Sequence, residues 1–219
     1  MARETLFPAD LKGLFEALRD TMVSHRDKLI ELDGVMGDGD LGLTMVSAFS
    51  AAAHEMSSSE EADMGKLFTR AGMSMAKAAP STMGTLMGTG FMRGGKAVKE
   101  KTALALGDMA VFWRAFVEGL EERGKAKPGD KTIIDSLDPA AEALEKAAEA
   151  GKSLHEGFQA ALAAAETGVE RTKTMTAQFG RMAYNQEKSK TLVDPGSVVG
   201  ALLIKTFADF ISEREEYHF

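Results

Sequence analysis

The chain of 219 residues is long enough for one well-buried domain, and its 44% apolar and 27% charged residues are typical of a soluble globular protein. A formal net charge of -7 argues against a nucleic-acid partner, because binding a phosphate backbone requires a basic face. Without cysteine, the chain can form neither a disulfide nor a thiolate metal site, so carboxylates are the expected ligands of any metal.

No membrane segment is expected, because no apolar run approaches the roughly 18 to 20 residues that a membrane span requires. The first ten residues lack the apolar centre of a signal peptide. No repeat or long linker divides the sequence. We therefore expect a cytoplasmic protein that folds as a single domain over residues 1–219.

Apolar residues recur every three or four positions along most of the chain, which predicts an all-α fold. No run of alternating β-branched or aromatic residues predicts a strand, although residues 97–106 are ambiguous. The predicted helices cover residues 10–32, 43–56, 64–79, 85–99, 107–123, 136–150, 153–174 and 197–213.

The turn between the first two predicted helices carries three carboxylates, Asp33, Asp38 and Asp40, within eight residues. Glycines between them permit tight turns that direct the carboxylates to one centre, where a divalent cation would offset their repulsion. A calcium-binding EF-hand is excluded because Phe49 stands where the loop needs glutamate, so Mg²⁺ fits better. The spacing alone is equally compatible with a solvated turn whose first aspartate caps a helix.

Three other segments are weaker candidates for a site. Residues 81–90 offer hydroxyls and backbone N–H groups to a phosphate, but their small residues also favour close helix packing. Residues 124–135 have the composition of an ordinary connecting loop, and residues 180–197 combine an arginine with a helix start that Asp194 or Ser197 could cap. Two runs that resemble a P-loop end in alanine where Ser or Thr is required, which excludes P-loop chemistry.

In this order, the segments resemble the nucleotide-binding L domains of dihydroxyacetone kinases. The pattern of that family is LDxxxGDGDHG, SGxLxGT, GDKTMxD, GRASY and DPG. The corresponding segments here are LDGVMGDGDLG, MGTLMGT, GDKTIID, GRMAY and DPG, so the resemblance covers nearly the whole chain. It implies a closed barrel of about eight antiparallel amphipathic helices with the nucleotide at one end.

The resemblance also implies roles for individual residues. Asp33, Asp38 and Asp40 would hold two Mg²⁺ ions that bridge the phosphates of ADP or ATP, and no residue would act as a catalytic acid, base or nucleophile. The implied nucleotide-binding residues are Leu41, Gly42, Leu43, Thr44, Thr82, Met83, Gly84, Gly124, Ile133, Arg181, Asp194, Pro195 and Gly196.

The activity that the resemblance implies is phosphate transfer to dihydroxyacetone or a related short ketose on a separate K-type subunit. The phosphate would come from exchangeable ATP, or from permanently bound ADP that a phosphocarrier of the phosphotransferase system recharges. A homodimer is a further partner that the sequence leaves open.

Three positions depart from the family pattern. Leu41 stands in place of a histidine, Met83 in place of a nucleotide-contacting serine, and Ala183 in place of the serine of GRASY. These changes leave the metal ligands intact but affect nucleotide geometry, and Ser81 and Thr82 are the candidates for the missing hydroxyl. Leu41 and Met83 also support an alternative function, a non-catalytic ADP-binding module that docks onto a transcription regulator or another enzyme.

Overall fold

Helices form most of the computed structural model, which describes residues 5–216 and, for side chains, residues up to 213. The described residues contain no β-strand, and the ambiguous residues 97–106 form a turn with one antiparallel bridge between Leu104 and Leu6. The predicted all-α class is confirmed. The helices are α1 (Pro8–Ser24), α2 (Arg26–Gly34), α3 (Leu41–Ser57), α4 (Met64–Ala78), α5 (Thr82–Ala97), α6 (Leu106–Gly124), α7 (Ile134–Glu149), α8 (Leu154–Thr172), α9 (Gln186–Ser189) and α10 (Pro195–Glu216), with a 3₁₀ turn at Arg181–Asn185.

The long helices contact one another in a cyclic order. From α3 to α8 each packs against the next in the chain, α10 packs against α8 and α1, and α1 packs against α3. Short connections between consecutive helices are typical of antiparallel neighbours. This order supports the closed barrel, which stays a prediction.

Aromatic rings fill the interior between these helices. The ring of Phe91 in α5 lies with its centroid 5.2 to 6.2 Å from the centroids of five other buried phenylalanines, contributed by α1, α3, α4 and α6. Trp113 of α6 continues the cluster to Phe207 of α10, at 5.2 Å. Buried aromatic rings contribute large apolar areas, so this cluster fixes the helices relative to one another.

Several helix ends differ from the prediction for local reasons. The first predicted helix is divided at His25, whose N–H donates to the Thr21 carbonyl oxygen at 3.1 Å and ends α1. Helix α5 begins at Thr82, earlier than predicted, because Ser81 Oγ accepts the Gly84 N–H at 3.1 Å. Helix α7 also begins early, and the polar segment after residue 180, predicted as a loop, contains the 3₁₀ turn and α9.

One helix among the described residues, α10, corrects the expectation that no apolar run approaches membrane-spanning length. Residues Pro195–Glu213 have a mean hydropathy of 1.2, but 67% of that stretch is buried inside the protein. Burial against α1, α7 and α8 accounts for this apolar composition, as in the core helix of a globular protein.

Candidate functional site

The acidic turn between α2 and α3 brings three carboxylates together. One oxygen of each of Asp33, Asp38 and Asp40 lies within 4.8 Å of the others. The Gly37 N–H donates to the Asp33 carbonyl oxygen at 2.5 Å, and Gly39 has a φ of 72°, a left-handed conformation that glycine adopts without strain. The glycines therefore fold the turn so that the aspartates converge, as the sequence predicted.

This cluster fits a magnesium ion. Opposite oxygens of an Mg²⁺ octahedron are about 4.2 Å apart, twice the roughly 2.1 Å Mg–O distance, so small side-chain rotations suffice to form a site. Burial, together with the negative charges of Asp38 and Asp33, raises the pKa of Asp40, and a cation would relieve that repulsion. Within the part of the chain that the structure describes, no other group of three acidic or histidine side chains has this spacing.

Arg181 reaches the same cluster from the 3₁₀ turn. Its Nη2 donates to Asp38 Oδ2 across 143 positions of sequence, and its side chain is 61% exposed. The sequence pointed to Arg181 as a nucleotide contact, but gave no sign of this ion pair. The guanidinium group therefore lies beside the carboxylates, where the phosphates of a metal-bound nucleotide would also need positive charge.

Gly196 lies against three other predicted nucleotide-binding residues. An ideal Cβ on Gly196 would lie 3.0 Å from Asp194 Oδ2, 3.1 Å from Met83 Cε and 3.3 Å from the Ile133 nitrogen. Met83 lies in the first turn of α5, Ile133 precedes α7, and Gly196 lies in the first turn of α10. Because helix starts present unpaired N–H groups, this convergence favours an anion such as a phosphate.

Asp194 links this group to the acidic turn. Its Oδ2 accepts the Ser197 N–H at 2.6 Å, so of the two caps that the sequence left open, Asp194 and Ser197, it is Asp194 that caps α10. Burial raises the pKa of Asp194 to about 7; the Ser197 N–H opposes this, and the negative charges of Asp135 and Asp33 add to it. The contacts around Gly196 therefore bring the starts of α5, α7 and α10 together, and the charge of Asp33 in the acidic turn contributes to the pKa shift of Asp194.

The other predicted residues of α3 lie in its first turn, with different exposure. Leu41 is buried, whereas Leu43 is 57% exposed and Thr44 is partly buried. Gly42 is buried where α3 packs on α2, since an ideal Cβ there would lie only 2.2 Å from the Arg26 carbonyl oxygen. The close packing of α3 on α2 therefore requires glycine at position 42, whether or not a ligand contacts it.

The remaining predicted residues lie at other helix ends. Thr82 is exposed and Gly84 buried in the first turn of α5, and the Ser81 hydroxyl, a candidate for the missing nucleotide contact, serves as the cap of that helix. Pro195 is buried as the first residue of α10. Gly124 ends α6, where its closest neighbour is a leucine side chain of α5, 3.3 Å from its ideal Cβ.

Two residues, Lys131 in the turn before α7 and Asp135 in the first turn of α7, have roles that the sequence did not reveal. Asp135 accepts the Gly129 N–H at 2.6 Å through Oδ1 and the Thr132 N–H at 2.7 Å through Oδ2. Lys131 is buried, with a φ of 62°. Their composition predicted an ordinary connecting loop, because no periodic pattern in the sequence indicates that a lysine in a turn is buried.

The structure is that of an all-α protein with three converging carboxylates in the turn before α3. The model of the DAK2 domain family matches residues 35–209. The chain therefore belongs to the DAK2 domain family, and the resemblance found in its sequence is confirmed.

Three relatives show the extent of this similarity. The chain is 31% identical to the ADP-binding subunit DhaL of the PEP-dependent dihydroxyacetone kinase of Escherichia coli, over 86% of this chain and 90% of the relative. It is 34% identical to the corresponding subunit of dihydroxyacetone kinase 1 of Listeria innocua, over 82% and 84% of the two chains. The dihydroxyacetone kinase of C. freundii superposes with a TM-score of 0.71 and 26% identity, over 95% of this chain but 36% of that longer chain. That kinase has also been solved in complex with AMP-PNP and Mg²⁺.

The raised pKa of Asp194 predicts a pH dependence of stability. The carboxyl group keeps its proton up to about pH 7 in the folded protein but only to about pH 4 in the unfolded chain. The resulting stabilisation is present at low pH and is lost as the pH rises from about 4 through 7, by an amount on the order of 4 kcal/mol. Asp194→Asn, which keeps an oxygen for the Ser197 N–H, should remove this dependence.

Denaturant unfolding of both proteins between pH 5 and 8, in metal-free buffer, measures the effect. The free energy of unfolding of the wild type should fall relative to that of Asp194→Asn across this range. Parallel pH profiles would show that Asp194 is ionised throughout.

Proposed function

We propose that this chain is the nucleotide- and magnesium-binding subunit of a two-part kinase that phosphorylates a short ketose such as dihydroxyacetone. One observation carries the proposal: three carboxylates converge within 4.8 Å in the turn between α2 and α3. Residues 1–219 would act as one nucleotide-binding domain in the cytoplasm, and the ketose would be held by a separate K-type subunit.

The chemistry of phosphoryl transfer suits such a site, because it depends on positioning and charge neutralisation more than on covalent help from the protein. Asp33, Asp38 and Asp40 would hold two Mg²⁺ ions, which neutralise phosphate charge when bound. Arg181 places a further positive charge beside them, and the first turns of α5 and α10 offer backbone N–H groups. The phosphate then needs only the hydroxyl of a ketose presented from outside.

Magnesium-dependent nucleotide affinity tests the proposal directly. Folded protein stripped of ligand should bind ADP and ATP in a calorimeter with Mg²⁺ and much more weakly with EDTA. With a K-type subunit and dihydroxyacetone, it should support ketose phosphorylation. Absence of magnesium-dependent binding would contradict the proposal, whereas binding without transfer would favour the ADP-binding regulatory module.

The source of the phosphate gives a second prediction. Both bacterial DhaL relatives, which this chain matches over most of their length, are ADP-binding subunits of PEP-dependent kinases. We therefore propose that ADP stays bound here and is recharged by a phosphocarrier. Protein purified without added nucleotide and then denatured should release about one ADP per chain.

A matched control separates retained ADP from contamination. Asp38→Asn, purified in the same way, should release much less ADP because the metal site is weakened. If the wild type releases none and instead turns over free ATP with the K-type subunit, ADP is an exchangeable product and the carrier variant is wrong.

A further inference from the structure

A buried lysine joins the two ends of a surface segment. Lys131 is 1% exposed, and its Nζ lies 2.7 Å from the Thr172 carbonyl oxygen and 2.6 Å from those of Ser189 and Leu192. An ammonium group has three N–H donors, so these three short contacts satisfy it. The carbonyl oxygen of Met175 is a fourth, longer neighbour at 3.3 Å.

These acceptors belong to opposite ends of one stretch of chain. Thr172 is the last residue of α8, whereas Ser189 ends α9 and Leu192 follows it shortly before α10. Three other hydrogen bonds run in parallel: the Thr191 N–H donates to the carbonyl oxygen of Lys173 at 3.0 Å, the Ala177 N–H donates to Ser189 Oγ at 3.2 Å, and the Asp194 N–H donates to Thr172 Oγ1 at 3.0 Å. Lys131 thus closes the base of residues 172–192.

Beyond this base the segment has little packing of its own. Most side chains between 178 and 188 are exposed, and Tyr184 is 93% exposed. The segment carries Arg181, which reaches the acidic turn through its ion pair with Asp38. The Gln178 N–H donates to the carbonyl oxygen of Asp130, the residue before Lys131, at 3.1 Å. Because the segment has few buried contacts, its attachment to the base and to this turn decides where the guanidinium group lies.

A neutral side chain could not replace the ammonium group at this place. Carbonyl oxygens that face one buried point repel one another and lose free energy when they have no donor. Burial of the charge lowers the pKa of Lys131, and the negative charge of Asp194 opposes that shift. Charge-assisted hydrogen bonds from Nζ offset the cost of burial only while all three acceptors stay in place.

We infer that Lys131 is a positioning residue for the nucleotide site: its ammonium group holds the ends of residues 172–192 together and thereby keeps Arg181 at the acidic turn. The claim that Lys131 holds the ends of the segment together is argued from the hydrogen bonds alone. Only its consequence for nucleotide binding rests on the proposed function.

The absence of cysteine allows a test that changes little more than the charge. In unfolded Lys131→Cys, the thiol can be alkylated with bromoethylamine, which restores a terminal ammonium group, or with 1-bromopropane, which ends the same chain in a methyl group. After refolding, hydrogen exchange followed by mass spectrometry should show backbone amides of residues 176–188 exchanging at least about tenfold faster in the propyl form. Amides of the core helices should exchange equally in both forms.

Nucleotide affinity then distinguishes positioning from general support of the fold. The propyl form should bind Mg²⁺ and ADP about tenfold more weakly than the aminoethyl form, but this difference should vanish when Arg181→Ala is present in both. Equal loss in both backgrounds would overturn the inference. So would equal exchange of residues 176–188 in the two forms, or failure of the propyl form alone to refold, which would assign Lys131 to the fold as a whole.

The two proposals fail in different ways. If even the wild type does not bind ADP with Mg²⁺, the proposed function is wrong, and the exchange rates of residues 176–188 still decide whether Lys131 closes this segment.

Discussion

Asp38→Asn should reduce ketose phosphorylation by about a hundredfold or more, while the unfolding temperature stays within a few degrees of the wild type. Asp38 is exposed, so its carboxylate contributes little to folding, but it is one of three groups that would hold magnesium. The substitution keeps the shape of the side chain and removes its charge. It also breaks the ion pair between Asp38 and Arg181. Both changes affect the acidic turn, so the loss of activity should come from the site.

The measurement is turnover with the K-type subunit over a magnesium titration, and the variant should need a higher magnesium concentration for its remaining activity. Asp20→Asn is the matched control, because Asp20 is likewise an exposed aspartate, paired with Arg19 at 2.8 Å, in α1 and outside the carboxylate cluster. Asp20→Asn should leave turnover unchanged. Full activity of Asp38→Asn would show that Asp38 is not a required metal ligand.

Gly168→Ala should destabilise the protein by about 1 to 3 kcal/mol, the usual cost of overpacking a filled interior. Gly168 lies in α8 against α7, and an ideal Cβ there would be 2.1 Å from the Asp135 carbonyl oxygen and 2.9 Å from Ser136 Cα. These are backbone atoms of a helix, which cannot move aside individually, so α7 and α8 must separate. Because the start of α7 carries Ile133, the affinity for ADP with magnesium should fall as well.

Denaturant unfolding at fixed pH measures the change, and a second glycine provides the control. Gly107 in α6 has no atom within 4 Å of its ideal Cβ, so Gly107→Ala should be neutral or stabilising by up to about 1 kcal/mol. Equal stability of the two variants would mean that α7 and α8 can separate enough to fit the added methyl group without lowering the free energy of unfolding.

The helices and the acidic turn could be predicted because their signals are local. Apolar periodicity depends on neighbours three and four positions away, and Asp33, Asp38 and Asp40 are close in sequence, so glycine turns suffice to bring their carboxylates together. The cap of α10 was narrowed to Asp194 or Ser197 for the same reason. The order of the motifs along the chain then gave the family.

Features that depend on distant residues could not be predicted in this way. The ion pair between Arg181 and Asp38 spans 143 positions, and the buried Lys131 takes its acceptors from backbone groups, whose position no side-chain pattern encodes. The early start of α5 was missed for a different reason: its glycines favoured a loop, and the capping hydroxyl of Ser81 outweighed them.

The ring cluster around Phe91 sets how this protein can change through evolution. The phenylalanines that hold the helices together lie in the interior, whereas the three departures from the family pattern, Leu41, Met83 and Ala183, lie at helix starts or in the 3₁₀ turn. None of the three is a ring of this cluster, so an exchange at these positions leaves the aromatic packing between the helices in place.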